Sequence, residues 1–323
     1  MKRRVFIGAV AGGLLLGPFG AFAQPARKVL RIGWLSPEEI EVHLRAFGEA
    51  MRTLGYVEGQ TYTIEARSAA NNFDRLPKLA AELVNAKVDI IVAVSPPAIL
   101  AAKRATDTIP IVMAFWGGGG LVESGVVANL ARPGGNVTGV SMLAAELEAK
   151  RLEFLLQALP KARNVGVLDP GNGYTYSEIR GVAERAGVQL RMTLVGQGDD
   201  AYPRAFDALV QARVEALLVP SSPRFFQESP RIIALAAARR IPAIYEWPSM
   251  AEDGGLMAYG PTLAELEGRV ASFVQRILKG ARPGDLPIEQ PNKFELIINL
   301  NTAKALGQTI PPSLLLRADR VIQ

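Results

Sequence analysis

The chain has 323 residues, 49% of them hydrophobic and 21% charged, with a formal charge of +5 and no cysteine. That length accommodates two domains with cores of their own, and the composition excludes disorder on a large scale. The missing cysteine excludes disulfides, thiol catalysis, cysteine-ligated metal and the lipid-bearing cysteine of a bacterial lipoprotein.

At the N-terminus, Lys2, Arg3 and Arg4 precede an apolar run over residues 5–17 and the small-residue site Ala21-Phe-Ala23. This is the pattern of an export signal, residues 1–23, removed before Gln24. The run is shorter than the ~20 residues of a spanning helix. Arg3 and Arg4 followed by Phe6 and Ile7 favour the twin-arginine route over the general secretory one. The mature protein is then expected in the periplasm, free of the membrane, with a charge of about +2 once the three cations leave. Its remaining basic residues alternate with acids, as in Glu146-Leu-Glu-Ala-Lys-Arg151, which reads as a solvated helix face and not as a nucleic-acid stripe.

From residue 29 the chain alternates. Residues 29–35 form a short apolar run stopped by Ser36-Pro37, and residues 38–54 show helical spacing. The polar and apolar alternation of residues 61–67 predicts a second strand, and residues 74–86 a second helix with Asp74 as its cap. Residues 88–94 are apolar almost throughout, as in a strand buried on both faces. They end at Ser95-Pro96-Pro97, where a helix begins and runs to residue 106. A fourth strand, 109–115, leads to Trp116 and four glycines, followed by a helix over about 122–132. There Pro133 bars continuation, Gly134 and Gly135 allow positive φ, and residues 137–140 open a strand.

The alternation then starts afresh. Helices are predicted over 146–159, 177–186, 201–212 and 223–239, and strands over 164–168, 188–194, 216–219 and 241–244. A strand through 254–260 delivers a long helix over 262–279, and a strand at 294–299 precedes the tail from 303. Such spacing indicates parallel sheets with right-handed crossovers. The fold class is therefore α/β, with two doubly wound lobes flanking a cleft.

Five segments carry a resemblance: Leu54-Gly-Tyr-Val-Glu-Gly59, Asp74-Arg-Leu-Pro-Lys-Leu-Ala-Ala-Glu-Leu-Val84, Ala131-Arg-Pro-Gly-Gly-Asn-Val-Thr-Gly139, Gly255-Leu-Met-Ala-Tyr-Gly-Pro261 and Lys293-Phe-Glu-Leu-Ile-Ile-Asn-Leu300. In this order, over nearly the whole mature chain, they resemble the ABC-transporter substrate-binding family that includes tryptophan-binding lipoproteins. The resemblance implies a type I periplasmic-binding fold with a three-strand hinge, which closes on a small solute and hands it to an ABC permease. Lobe one is then expected at 29–140 plus 261–285 and lobe two at 141–260 plus 286–323. One segment departs: where relatives carry Gly-Asp-Pro-Val, this chain has Gly119-Gly-Leu-Val122.

In open α/β sheets, ligands sit beyond the carboxyl ends of the strands, at helix N-termini. Those ends hold Ser36, Ser95, Pro96, Phe115 and Trp116 in lobe one, and Asp169, Tyr174, Ser221, Tyr245 and Glu246 in lobe two. Ser95 is a candidate for gripping a ligand carboxylate, or else only caps its own helix. Asp169 and Glu246 are candidates for meeting an ammonium group, with an Asx-turn the alternative for Asp169 and simple exposure the alternative for Glu246. Trp116 either lines the cleft or packs on the hinge. The aromatic residues are candidates for stacking on an apolar ligand. The expected solute is thus amino-acid-like or aromatic.

Enzyme signatures are missing. The sequence contains neither a Gly-x-Ser-x-Gly elbow nor a Gly-x-x-x-x-Gly-Lys-Ser/Thr loop. His43, the single histidine, is expected on a helix surface, so histidine metal clusters and Ser-His-Asp triads are excluded. No cofactor and no metal are expected, and the protein is expected to be a monomer. A sensory receptor using the same two lobes is the alternative to a transport component, and a secreted α/β enzyme working through paired carboxylates ranks behind both.

Overall fold

A computed structural model describes residues 29–37, 41–70, 72–117, 120–142, 144–171 and 176–323. The leader over 1–23, Gly118, Gly119 and Tyr174 lie outside the described residues.

The first half runs β1 (Leu30–Ser36), α1 (Glu41–Thr53), β2 (Tyr62–Ser68), α2 (Leu76–Asn85), β3 (Ile90–Val94), α3 (Ser95–Ala105), β4 (Ile111–Trp116) and β5 (Val137–Ser141). Its described strands form a parallel sheet in the order β2-β1-β3-β4-β5. Every residue of β3 is buried. Ile90, Val92 and Val94 pack on one face and Ile91 and Ala93 on the other, which is why its apolar run is unbroken.

The second half runs α4 (Ala144–Ala158), β6 (Asn164–Asp169), α5 (Ser177–Ala186), β7 (Gln189–Leu194), α6 (Ala201–Gln211), β8 (Ala216–Leu218), α7 (Pro223–Gln227), α8 (Ser229–Ala238), β9 (Ala243–Tyr245), α9 (Pro248–Glu252) and β10 (Met257–Gly260). After α10 (Leu263–Leu278) come β11 (Glu295–Asn299), α11 (Leu300–Ala305), α12 (Pro312–Leu315) and β12 (Arg320–Ile322). The second sheet has the order β12-β11-β10-β9-β8-β6-β7, parallel except where β10 meets β11.

The helix α10 packs on α1, β4 and β5, so it belongs with the first sheet although it follows β10 of the second. The chain therefore passes between the sheets three times: after β5, between β10 and α10, and between α10 and β11. The third passage is tied to the first. Ser141 donates its N–H to the Glu289 carbonyl at 2.9 Å, Glu289 donates to the Gly139 carbonyl at 3.0 Å, and the Thr138 hydroxyl donates to the Leu286 carbonyl at 2.8 Å. Gly139 is required there, because a Cβ would stand 2.3 Å from the Met113 carbonyl oxygen on β4.

Three local expectations need correcting. Residues 122–132 are not a helix but a series of turns. The Ser124 hydroxyl donates to the Leu121 carbonyl, Asn129 accepts from the Arg132 N–H, and Gly125 takes φ 73°. Short polar side chains bonding their own backbone compete with a helix, and a glycine at positive φ ends it. Asp74 is not the cap of α2. It lies within a short 3₁₀ turn whose cap is Asn72, which accepts the Asp74 N–H at 3.2 Å. The helix expected over 223–239 is broken at Glu228 into α7 and α8.

Candidate functional site

The carboxyl ends of β1, β3 and β4 and those of β6, β8 and β9 carry the polar side chains singled out by topology. One apolar cluster joins the two groups of ends, from Trp34, Phe47 and Phe115 to Leu168, Phe225 and Trp247. Across the gap, the His43 ring on α1 meets the Phe226 ring on α7 at 6.0 Å, and Phe226 meets Trp247 at 5.1 Å. The two lobes touch at this point.

In lobe one, β3 passes into α3 without a loop. The register between β3 and β4 shifts after Ala93, and Pro96 and Pro97 occupy the first turn of α3, where a missing N–H costs nothing. The sharp turn forces Ser95 to φ 72°, a conformation that costs a non-glycine residue about 1–3 kcal/mol. Ser95 is 4% exposed, and among the described residues its hydroxyl has no hydrogen-bond partner and does not cap α3. It is a buried donor held under strain at the N-terminus of an 11-residue helix. Ser36 is buried at the end of β1 beside Ser68 of β2, and Pro96 is half-buried.

Phe115 and Trp116 part company. Phe115 joins the apolar cluster that spans the lobes, whereas Trp116 lies on the opposite face of the sheet with Leu121, Val126, Val127 and Ile288. The Trp116 carbonyl accepts the Met142 N–H at 2.9 Å, which places the residue beside the first passage between sheets.

Lobe two gathers charge. Glu246 follows β9, is buried, and accepts the Ser221 hydroxyl. Ser221, after β8, donates its N–H at 3.1 Å to Glu148 of α4. Arg151, one turn further along α4, is wholly buried. It places Nη2 3.8 Å from Glu246 Oε1 and donates Nε to the Tyr259 carbonyl on β10 at 2.7 Å. Burial pushes the Glu246 carboxyl up, against the pull of the Arg151 guanidinium and of hydrogen bonds from Ser221 and Ser222.

Asp169, by contrast, accepts the Gly171 N–H at 2.9 Å in an Asx-turn at the half-buried end of β6. Tyr245 points into the core, where burial raises its hydroxyl and its ring lies where a Gly255 Cβ would stand.

Two charged groups escaped the sequence reading. Residues 146–151 are not a solvated face, since Glu148 and Arg151 are buried. Their positions continue the spacing of Leu155 and Ala158, so a charged pair on an apolar stripe was the available signal. Nor is His43 a surface residue. It is buried, and its Nδ1 lies 2.7 Å from Oε1 of the buried Glu267 on α10. Burial raises the Glu267 carboxyl, with His43 acting against it.

A hollow of about 300 Å³ lined by Ala237, Arg240, Gly254, Asn301, Thr302, Ala305 and Leu306 lies where β10 begins, at the opposite end of the sheet. Among the described residues no group of histidines and carboxylates is arranged to hold a metal ion, and no helix is long and apolar enough to cross a membrane.

The ABC transporter substrate binding protein family matches residues 35–322. A tyrosine-binding protein of Clostridioides difficile (strain R20291) is 28% identical over 267 residues, 81% of this chain and 75% of that protein. The ABC domain in complex with L-Trp from Streptococcus pneumonia is 24% identical, with TM-score 0.80 over 91% of this chain and all of that one. A conserved domain protein from Vibrio cholerae O1 biovar eltor shows the same identity and coverage, with TM-score 0.82. These two structures share the fold of this chain.

Proposed function

Because the chain belongs to the ABC transporter substrate-binding protein family, we propose that the small solute it captures is an amino acid with an aromatic or apolar side chain, handed on to an inner-membrane permease. Ser95 carries this reading: a buried hydroxyl without a partner, under backbone strain, at a helix N-terminus, is a donor kept for a carboxylate. On the other lobe, Glu246 supplies an acceptor for the ammonium group, and Phe115 of lobe one with Phe226 and Trp247 of lobe two supplies an apolar wall. The relatives that bind tyrosine and L-Trp support the same class of solute.

The lobes close on the solute by bending at the three passages, and the leader over residues 1–23 directs the protein to the periplasm. No catalytic step is assigned.

Titration with L-tyrosine, L-tryptophan, sugars and short peptides tests the solute class. An aromatic amino acid at about 100 times its Kd adds about 2.7 kcal/mol to stability, read as a raised Tm, and is recovered unchanged. A response to sugars alone would refute the assignment.

A further inference from the structure

Arg151 is, after Trp34, the largest wholly buried side chain of the described residues. Among the described residues its Nη1 and Nη2 have no hydrogen-bond partners, although burying a guanidinium costs several kcal/mol and an apolar side chain of similar size would fill the space without that cost. Its neighbours explain why a cation stands there. The guanidinium lies 3.8 Å from the buried carboxylate of Glu246, which the hydroxyl and N–H of Ser221 link to the buried Glu148, one turn back on α4.

The same side chain holds backbone. Its Nε bond to the Tyr259 carbonyl fixes β10 just before the second passage between lobes. There the chain is packed without slack: a Cβ on Gly260 would stand 2.2 Å from the Glu246 carbonyl oxygen and 3.5 Å from Arg151 Nη2. The Glu246 turn, the end of β10 and α4 therefore meet at one guanidinium.

We propose that Arg151 is a positioning residue for solute capture: it fastens the Glu246 turn to β10 and is the fixed counter-charge beside the carboxylate that meets a solute's ammonium group. This rests on the proposed solute only for what Glu246 meets. The groups acting on Glu246 are the Arg151 guanidinium from α4, Ser221 and Ser222 from the turn after β8, and Trp247 next to it in the chain, with Glu148 on the far side of Ser221. Without Arg151, burial drives Glu246 to its neutral form, which leaves the ammonium group unpaired.

The test has two arms. In the first, L-tyrosine and L-tryptophan are titrated into wild type, Arg151→Met and Arg151→Lys from about pH 5 to about pH 9. Arg151→Met is expected to bind at least about tenfold more weakly at neutral pH and to recover as pH rises and Glu246 ionises, while Arg151→Lys stays closer to wild type. Equal or tighter binding by Arg151→Met at neutral pH, or a loss uniform across pH, would overturn the proposal. In the second arm the Tm of the empty protein is followed against pH. Arg151→Met is expected to lose stability as pH rises more steeply than wild type, and adding Glu246→Gln is expected to abolish the difference. Persistence of the slope in the double variant would also overturn it. If Arg151→Met does not fold, Arg151→Gln and Arg151→Gln/Glu246→Gln, which also remove the charge, carry the same outcomes. Should wild type bind neither amino acid while the second arm behaves as stated, the solute class fails and the role of Arg151 toward Glu246 stands.

Discussion

Two serines end two strands on opposite lobes and have opposite fates. The Ser95 hydroxyl is buried and bonds to nothing among the described residues, while Ser221 spends its hydroxyl on Glu246 and its N–H on Glu148. Lobe one thus keeps a donor in reserve at a helix N-terminus, and lobe two commits its donors to its own carboxylates and presents net acceptor character. A site with donors on one wall and acceptors on the other suits a zwitterion. The difference also tells where strain is tolerated, since Ser95 is held at φ 72° whereas the Ser221 turn needs no such conformation.

The sharpest way to break this comparison is to neutralise lobe two. Glu246→Gln keeps the volume and removes the charge. A hydrogen bond between charged groups contributes about 1.5–3 kcal/mol, so binding of L-tyrosine or L-tryptophan should weaken about 10- to 150-fold by calorimetry. Loss of less than threefold would remove Glu246 from the site. Because burial raises this carboxyl, the empty wild-type protein should bind a proton more tightly folded than unfolded. Its contribution to stability is then present at low pH and lost as pH rises through the folded value, and Glu246→Gln should flatten that part of the Tm profile.

Neutralising lobe one should have a smaller effect. Ser95→Ala should weaken binding about tenfold and leave the Tm of the empty protein nearly unchanged, since the hydroxyl bonds to nothing there. Ser95→Gly should weaken binding similarly and raise stability by about 1 kcal/mol, because glycine adopts positive φ without strain. A fall in Tm for Ser95→Gly would mean that the turn is not strained.

The contrast between the lobes was only half legible in the sequence. Strand ends can be read from apolar runs that stop at Ser-Pro or at an acid, so Ser36, Ser95, Ser221 and Glu246 were identifiable as residues of one face. Which of them had spent their hydrogen bonds was not, because the partner of Ser221 lies on α4, more than 70 residues away. Arg151 and Glu148 were misread for a related reason. Period and composition describe a helix face, and a buried charged pair is indistinguishable from a solvated one until the strands that cover it are in place. The false helix over 122–132 failed on local grounds, where Ser124, Gly125 and Asn129 outweighed spacing.

A second pair of regions refines the point. Glu267 is buried as deeply as Glu246, but its partner is His43, whose charge is conditional, whereas Arg151 carries its charge at every relevant pH. The His43 pair therefore reads as structural, with Phe226 of the other lobe against the imidazole. His43→Gln should cost about 1 kcal/mol through the weakened buried bond. It should also push the Glu267 carboxyl further up, so that the deficit shrinks as pH falls and Glu267 is protonated. Urea unfolding at several pH values checks this, and a deficit independent of pH would show that Glu267 does not respond to His43.

The smallest effect is expected at Asp169, the other acid at a strand end of lobe two. Its Oδ1 accepts the Gly171 N–H at 2.9 Å, a bond that an asparagine side chain makes equally well in an Asx-turn. Unlike Glu246, it is only half-buried and faces no guanidinium within ion-pair distance among the described residues. A partly hydrated carboxylate already engaged by its own turn gains little from meeting an ammonium group, because water screens it in both states. Asp169→Asn should therefore change the Kd for L-tyrosine or L-tryptophan by less than about twofold, while Asp169→Ala, which deletes the acceptor, should cost about 0.5–1 kcal/mol of stability. A tenfold loss of affinity in Asp169→Asn would relocate the ammonium group from β9 to β6 and leave the Glu246 cluster a structural feature of lobe two.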